Sequence, residues 1–171
     1  MKIKRAALPV VLALCLWGSG HLYASNGGNY TVYSVFIYNF IKYLEWPQGN
    51  EKVSVVVWNS AAAAEELQKM AKAKSTPARE ITVTNVTDEN GILNADLVFV
   101  PANSSAAFIK FADKLKSKPI VVVTEEADLT SKGASMSFKT VSEKIRFQMN
   151  NEALKSNGLK VSGTLESLAI Q

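Results

Sequence analysis

The stretch KVSVVVWNSAAAAEELQKMAKAK, residues 52–74, decides the fold class. Its first part, 52–59, is a short valine-rich run bounded by polar residues, which predicts a strand buried on both faces. Its second part, 60–74, is rich in alanine, glutamate and lysine and starts at Ser60, which favours a capped helix. A buried strand that runs directly into a helix is the building unit of a parallel α/β sheet.

The rest of the chain continues this alternation and then changes character. Residues 134–150 alternate apolar and polar positions around a short turn at 141–143, which predicts a β-hairpin. We expect further strands at 80–86, 95–102 and 119–126, a helix at 103–117, and short helices at 151–159, closed by Gly158, and at 164–169. The sequence therefore predicts a single α/β domain, with a mainly parallel central sheet flanked by helices and a C-terminal β-hairpin with short helices.

The first residues of the chain have the layout of a secretory signal peptide. Lys2, Lys4 and Arg5 precede an apolar run at 6–17, and Ala24 is a small residue at the expected cleavage position. The apolar run is too short to cross a bilayer comfortably, although an uncleaved membrane anchor is the alternative. We therefore expect a signal peptide at 1–24, a flexible spacer at 25–29 and a folded domain at 30–171.

Cleavage there changes the chemistry that the protein has available. It removes three of the 19 basic residues and none of the 15 acidic ones, so the mature chain has 16 basic and 15 acidic residues. This balance does not favour a nucleic-acid partner. The single cysteine and histidine, Cys15 and His21, also leave, which excludes disulfides, Cys/His zinc sites and Ser-His-Asp or cysteine catalysis. We expect neither an enzyme nor a cofactor.

Residues 30–47, YTVYSVFIYNFIKYLEWP, form the densest aromatic stretch of the chain. A membrane anchor, a stacking platform and a core helix are the three interpretations. The apolar positions recur three and four residues apart, at Tyr33, Phe36, Ile37, Phe40, Ile41 and Leu44. This spacing favours an amphipathic helix that packs on the sheet and ends at Trp46 and Pro47. Tyr38 and Tyr43 lie off this stripe and are candidates for contact with a partner protein.

Polar residues follow two of the predicted strands at the point where a helix begins. Trp58 and Asn59 end one predicted strand and Ser60 begins the helix after it, and Asn103 and Ser104 come after another strand. Because ligands of α/β sheets favour the carboxyl ends of strands, these five residues are candidates for a small-ligand site. Helix capping by Ser and Asn, and packing of Trp58, are the alternatives. The glycine-rich phosphate loops GxGxxG and GxxxxGK[ST] are absent from the sequence.

Two further polar groups have a structural and a functional interpretation. Glu125, Glu126 and Asp128 could supply paired carboxylates, but a solvated loop fits better because adjacent residues of an extended segment point apart. Arg146, Gln148 and Asn150 share one face of a predicted strand. They form either a polar network that holds the final helices or a solvated strand face, and the spacing does not decide between these.

Two segments at opposite ends of the mature chain have a distinctive pattern, VFIYNFIKYLEWP at residues 35–47 and KIRFQMNNEALKSNGLKVSGTLESLA at residues 144–169. They resemble the opening helix and the closing segment of the YfiR-like family of exported bacterial proteins. The matching residues are Tyr38, Asn39, Phe40, Lys42, Glu45, Trp46, Pro47, Arg146, Phe147, Asn150, Gly158, Leu159 and Ser162. Gln148 stands where the family commonly has an acid, and the mature chain lacks the disulfide cysteines of the family's best-known member.

The resemblance implies a periplasmic α/β domain that often dimerises. The family's best-known member restrains a membrane-bound diguanylate cyclase, and many other members have no assigned role. The expected partner is the periplasmic sensor domain of a membrane protein, and the expected effect is on cyclic di-GMP signalling and biofilm formation. No direct membrane span is expected after signal cleavage. The alternative function is a periplasmic small-ligand-binding or sensor domain that serves another signalling or transport system.

Overall fold

The computed structural model describes residues 27–47, 49, 51–116 and 118–170. The predicted signal peptide, 1–24, lies outside these residues. The first helix, α1, begins at Gly27, so it includes the last part of the stretch 25–29 that was predicted as a spacer.

The helices and the six strands of the larger sheet follow the order that the sequence predicts, and two short strands at 44–45 and 160–161 are additional. The helices are α1 (Gly27–Tyr43), α2 (Ala61–Lys74), α3 (Ser105–Leu115), α4 (Asn151–Ser156) and α5 (Gly163–Leu168). The strands are β1 (Leu44–Glu45), β2 (Lys52–Trp58), β3 (Glu80–Val86), β4 (Leu97–Val100), β5 (Val121–Thr124), β6 (Met136–Val141), β7 (Lys144–Met149) and β8 (Lys160–Val161). Short 3₁₀ turns cover Asn90–Ile92, Ala102–Ser104 and Leu129–Lys132.

The central sheet has six strands in the order β3-β2-β4-β5-β6-β7. Its neighbours pair in parallel except for the antiparallel hairpin of β6 and β7. The chain moves from β2 outward to β3 through α2, and from β4 in the opposite direction to β5 through α3. The direction of winding therefore reverses between β2 and β4, and ligands of open α/β sheets bind at such a point. The predicted fold class is confirmed.

Both faces of the central sheet are covered, which explains the unbroken apolar runs in its strands. In β2, Val55 and Val57 face the larger core with α1 and α2, whereas Val56 and Trp58 face the smaller core with α3. Side chains of successive strand residues point to opposite faces, so a strand that is buried on both sides must be apolar at every position.

The aromatic stripe of α1 packs on the hairpin. Tyr33 stacks on Phe138 with ring centroids 4.3 Å apart, and Phe40 meets Phe147 edge to face at 4.9 Å. Such ring pairs stabilise a core beyond the area that they bury. The stretch is thus a core helix. Within the part of the chain that the structure describes, no helix has the length and apolar character that a membrane span requires.

The end of α1 differs from the prediction. The helix stops at Tyr43 rather than at Trp46 and Pro47, and Leu44–Glu45 forms a short antiparallel pair with Val161 and Lys160. The local sequence favours a longer helix, but the backbone groups of Leu44 and Glu45 pair with β8 instead of continuing the helix. Trp46 is still buried, with 5% of its surface exposed.

Candidate functional site

The predicted ligand residues do come together at the carboxyl ends of β2 and β4. The hydroxyl of Ser104 donates to the backbone oxygen of Trp58 at 3.0 Å. The side-chain amide of Asn103 donates to the backbone oxygen of Asn59, also at 3.0 Å. The two loops are therefore joined at the point where the winding of the sheet reverses, as their position after the strands predicts.

Most polar groups of this cluster already have partners within the protein. The Ser60 hydroxyl accepts from the backbone N–H of Ala63 at 3.2 Å and so caps α2. The Trp58 side chain is 3% exposed and meets the Phe111 ring edge to face at 6.1 Å, so it packs in the core. Capping and packing account for these two side chains, while Asn59 and Asn103 remain exposed. A ligand at Trp58, Asn59, Ser60, Asn103 and Ser104 stays a prediction.

A carboxylate that we assigned to a solvated loop lies beside this cluster. Glu125 is half-buried, and its Oε2 atom accepts from the backbone N–H of Ala102 at 2.9 Å and from the Tyr30 hydroxyl at 3.4 Å. The N–H group of Ala102 lies just before α3, where a bound anion would accept it. The protein's own carboxylate thus occupies the position that a bound anion would take.

Glu125 also influences the two tyrosines at the start of α1. Burial raises the pKa of Tyr33 to about 12, and the nearby negative charge of Glu125 contributes in the same direction. Burial and then Glu125 likewise raise the pKa of Tyr30. Both hydroxyls therefore stay protonated at neutral pH. The position of Glu125 directly after β5 was the one signal in the sequence that could have indicated this contact.

The polar face of the hairpin holds the loop that follows β5. The Gln148 side-chain oxygen accepts from the backbone N–H of Asp128 at 3.0 Å, and the Asn150 amide donates to the Thr130 oxygen at 3.1 Å. Lys139 pairs with Asp128 at 3.0 Å and lowers the pKa of that carboxyl. Asn150 and Gln148 therefore form a polar network, whereas Arg146 is exposed. The network fixes this loop, and Asn150 also caps α4.

A groove of about 690 Å³ lies between α3, the 3₁₀ turn Leu129–Lys132 and α4. Its floor is apolar, and Leu115, Ile120 and Val122 contribute to it. Lys132 and Glu152 also line the groove, as does Ile109, which is 46% exposed. This volume is within the range of small-molecule sites. The groove includes none of the predicted ligand residues, and no pattern in the sequence indicated it.

The outward surface of α1 is the second candidate. Val32 and Val35 are 40% and 57% exposed and are followed along the helix by Asn39 and Lys42. We call these four residues the outer ridge of α1. The predicted partner residues are less open: Tyr38 and Tyr43 are half-buried against the larger core, and lysine ammonium groups lie over both rings. The sequence did not indicate the two valines because the neighbouring aromatic residues dominate the stretch.

The two segments that resemble the YfiR-like family meet in space. Besides the pairing of β1 with β8, the backbone N–H of Ser162 donates to the Tyr43 oxygen at 3.2 Å. Gly158 has φ +78°, and a Cβ atom there would lie 3.1 Å from Cγ of Pro47. This position therefore requires glycine both for its backbone conformation and for the close approach of Pro47. The shared residues build one structural junction.

The remaining residues of that motif are mostly structural as well. Phe40, Trp46, Phe147 and Leu159 are buried in the larger core. The Asn150 and Ser162 side chains cap α4 and α5. Glu45 forms an exposed ion pair with Lys160 at 3.7 Å, which contributes little stability. Among the residues described here, no group of three His, Cys, Asp or Glu side chains is arranged to hold a metal ion.

Taken together, the described residues form a small α/β domain with internally bonded strand ends, an open groove beside α3 and an outer ridge on α1 that combines two exposed valines with Asn39 and Lys42. The family model described as YfiR/HmsC-like matches residues 30–170. The chain belongs to this family. Membership is consistent with a regulatory protein of the periplasm that acts in cyclic di-GMP signalling.

The likeness to a solved structure concerns the fold alone. The chain is similar to a conserved domain protein from Vibrio cholerae O1 biovar El Tor strain N16961, whose structure is a crystal structure, with a TM-score of 0.54 and 13% sequence identity. The match covers 80% of this chain and 58% of that chain. Among curated proteins, none matches the chain significantly in sequence.

Proposed function

We propose that this protein is a non-enzymatic periplasmic regulator that restrains a membrane-bound diguanylate cyclase by binding its periplasmic sensor domain. The family match over residues 30–170 is the observation that carries this proposal. The internal use of the strand-end polar groups also supports it, because an enzyme or nucleotide-binding protein would keep those groups open for its ligand.

The outer ridge of α1 is the surface that we propose for the partner. Val32 and Val35 expose apolar side chains on a helix that is otherwise packed in the core, and a small apolar centre with polar neighbours could form the core of a protein interface. Lys42 extends the ridge with a positive charge, which would favour an acidic rim on the sensor domain. Tyr38 and Tyr43 would contribute only their exposed edges.

Deletion of the gene tests the proposal in its simplest form. Without its inhibitor, the cyclase would be more active, so we expect more cyclic di-GMP and more biofilm in the deletion strain. Expression of the chain from a plasmid should return both quantities to their original values. An unchanged cyclic di-GMP level in the deletion strain would contradict the link to a cyclase.

The groove between α3 and α4 favours a second candidate function, a small-ligand sensor for another signalling or transport system. Its apolar floor and charged walls suit a small molecule with an apolar body and charged groups. A thermal-shift screen of periplasmic metabolites tests this function. Ligands of the groove should stabilise the wild-type chain but not a Ser156→Trp variant, whose ring replaces an exposed residue of the groove lining. A screen without any stabilising compound would argue against it.

A further inference from the structure

The two edges of the central sheet are protected in different ways. At one edge, β7 has the basic residues Lys144 and Arg146, and its Phe147 oxygen accepts from the backbone N–H of Ile170 at 2.9 Å. At the other edge, β3 has the sequence EITVTNV, with Glu80 as its single charged residue. An uncharged edge strand is a template for pairing with another strand, and lysines are a common protection against it. The edge of β3 has no such lysine.

The backbone groups of β3 that face away from the sheet belong to Ile81, Val83 and Asn85. The N–H of Glu80 donates to the Glu51 oxygen, and the Val86 oxygen accepts from the N–H of Asn59, each at 2.7 Å. Glu80 and Val86 therefore point their backbone toward β2. The backbone groups of successive strand residues point to opposite sides of the strand. The N–H and C=O groups of Ile81, Val83 and Asn85 therefore point away from β2.

Side chains near α2 occupy half of these outward groups. The Ser75 hydroxyl accepts from the N–H of Ile81 at 3.0 Å and donates to the Ile81 oxygen at 3.3 Å. The side-chain amide of Gln68 donates to the Val83 oxygen at 3.4 Å. Among the hydrogen bonds of the described residues, these satisfy the N–H and C=O of Ile81 and the C=O of Val83.

In one antiparallel register, these three occupied groups take part in every hydrogen bond that self-pairing would form. This register has a two-fold axis at Val83, which places Ile81 opposite Asn85 and Thr82 opposite Thr84. Residues that form a hydrogen-bonded antiparallel pair exchange both N–H···O bonds. Each hydrogen bond between Val83 and the Val83 of the second copy has a Val83 oxygen as its acceptor. Each hydrogen bond between Asn85 of one copy and Ile81 of the other uses either the N–H or the oxygen of Ile81. The side chains of Ser75 and Gln68 already occupy these backbone groups, so in this register they compete with every hydrogen bond between the two copies.

We propose that the outer edge of β3 is a latent interface for a second copy of this chain, which Ser75 and Gln68 hold closed. Pairing without them would join two central sheets into one continuous sheet through β3. Threonine pairs would face each other across the new ladder, and such pairs are favourable. The proposal concerns the edge of the sheet and is independent of the outer ridge of α1 and of the proposed partner.

Alanine variants of the two residues test the proposal because they expose different numbers of backbone groups. Ser75→Ala frees both groups of Ile81, and Gln68→Ala frees only the Val83 oxygen. We expect tighter self-association in the order wild type, Gln68→Ala, Ser75→Ala and double variant, with an increase of about tenfold or more for Ser75→Ala. Sedimentation velocity over a range of concentrations measures the association constant. Ser75→Thr keeps a hydroxyl at this exposed position and should behave as wild type.

A second set of substitutions identifies the surface. Thr82→Lys with Thr84→Lys, added to the double variant, would place lysines directly opposite each other in the paired strands and should return self-association to the wild-type value. Circular dichroism checks that each variant is folded. If the double variant is not folded, the two lysines are added to Ser75→Ala alone. An association constant that is unchanged in Ser75→Ala, or that the two lysines fail to reduce, would overturn the proposal.

Discussion

Asn150 performs two structural tasks with one side chain. Its Oδ1 atom accepts from the N–H of Ala153 at 2.9 Å and caps α4, and its Nδ2 atom donates to the Thr130 oxygen at 3.1 Å. We expect Asn150→Ala to reduce the free energy of unfolding by about 2 kcal/mol because both bonds are lost. Asn150→Ser keeps an oxygen that can cap α4 but has no amide group for Thr130, so it should lose about half as much. Urea unfolding measures both, and equal losses would show that the cap contributes nothing.

Tyr33 makes the stability depend on pH in the alkaline range. Its pKa is raised from 10.0 to about 12 by burial and by Glu125, so the unfolded chain releases this proton at lower pH than the folded chain. The contribution that this pKa difference makes to the free energy of unfolding is fully present below pH 10 and is lost as the pH rises toward 12. We expect the urea midpoint of Tyr33→Phe to fall less over this range than that of the wild type. If the urea midpoints of Tyr33→Phe and of the wild type fell by the same amount, the titration of Tyr33 would not be the cause of the pH dependence.

At the scale of elements, the hairpin contains a turn of strained residues. Ser142 and Glu143 join β6 to β7 with φ values of +47° and +61°, which is the conformation that Asn-Gly adopts most easily. Side chains other than those of Gly, Asn and Asp have a steric cost there. We expect Ser142→Asn with Glu143→Gly to stabilise the protein by about 1 kcal/mol, which raises Tm by about 2–4 °C. Replacing both residues by alanine should give no gain.

Elements that depend on local sequence were predicted more accurately than those that depend on distant partners. Ser60 and the alanine-rich run after it define α2, and the turn near Ser142 defines the hairpin. The strand at Leu44 and Glu45 was missed because its partners, Val161 and Lys160, are distant in the sequence. The same reason applies to the sites. Glu125 binds the N–H of Ala102 and the groove is built from three separate segments, and neither arrangement has a local pattern.

At the scale of the whole molecule, the opening and closing segments form a junction that sets the position of α1. Leu44, Trp46, Leu159 and Leu165 are buried together in the larger core, and the junction holds the end of the helix whose start is tied to Glu125. The outer ridge of α1 is therefore presented on a helix that is fixed at both ends. A rigid surface of this kind loses little conformational entropy when it binds a partner.

Substitution of the outer ridge should separate partner binding from folding. Val32→Asp with Val35→Asp replaces exposed side chains, so we expect a change in Tm of no more than about 2 °C, since surface substitutions usually have small effects. Val32→Ala with Val35→Ala, which removes apolar area without adding charge, should have an intermediate effect on partner binding. Thermal unfolding of the purified variants checks that each remains folded.

The cyclic di-GMP content of a deletion strain complemented with these variants tests the account most directly. The wild-type chain should restore the low level of the parent strain, and the double aspartate variant, expressed to the same amount and folded, should leave the level as high as in the uncomplemented strain. Equal restoration by both would contradict the role of the outer ridge. A deletion strain whose cyclic di-GMP never rises would contradict the proposed function itself.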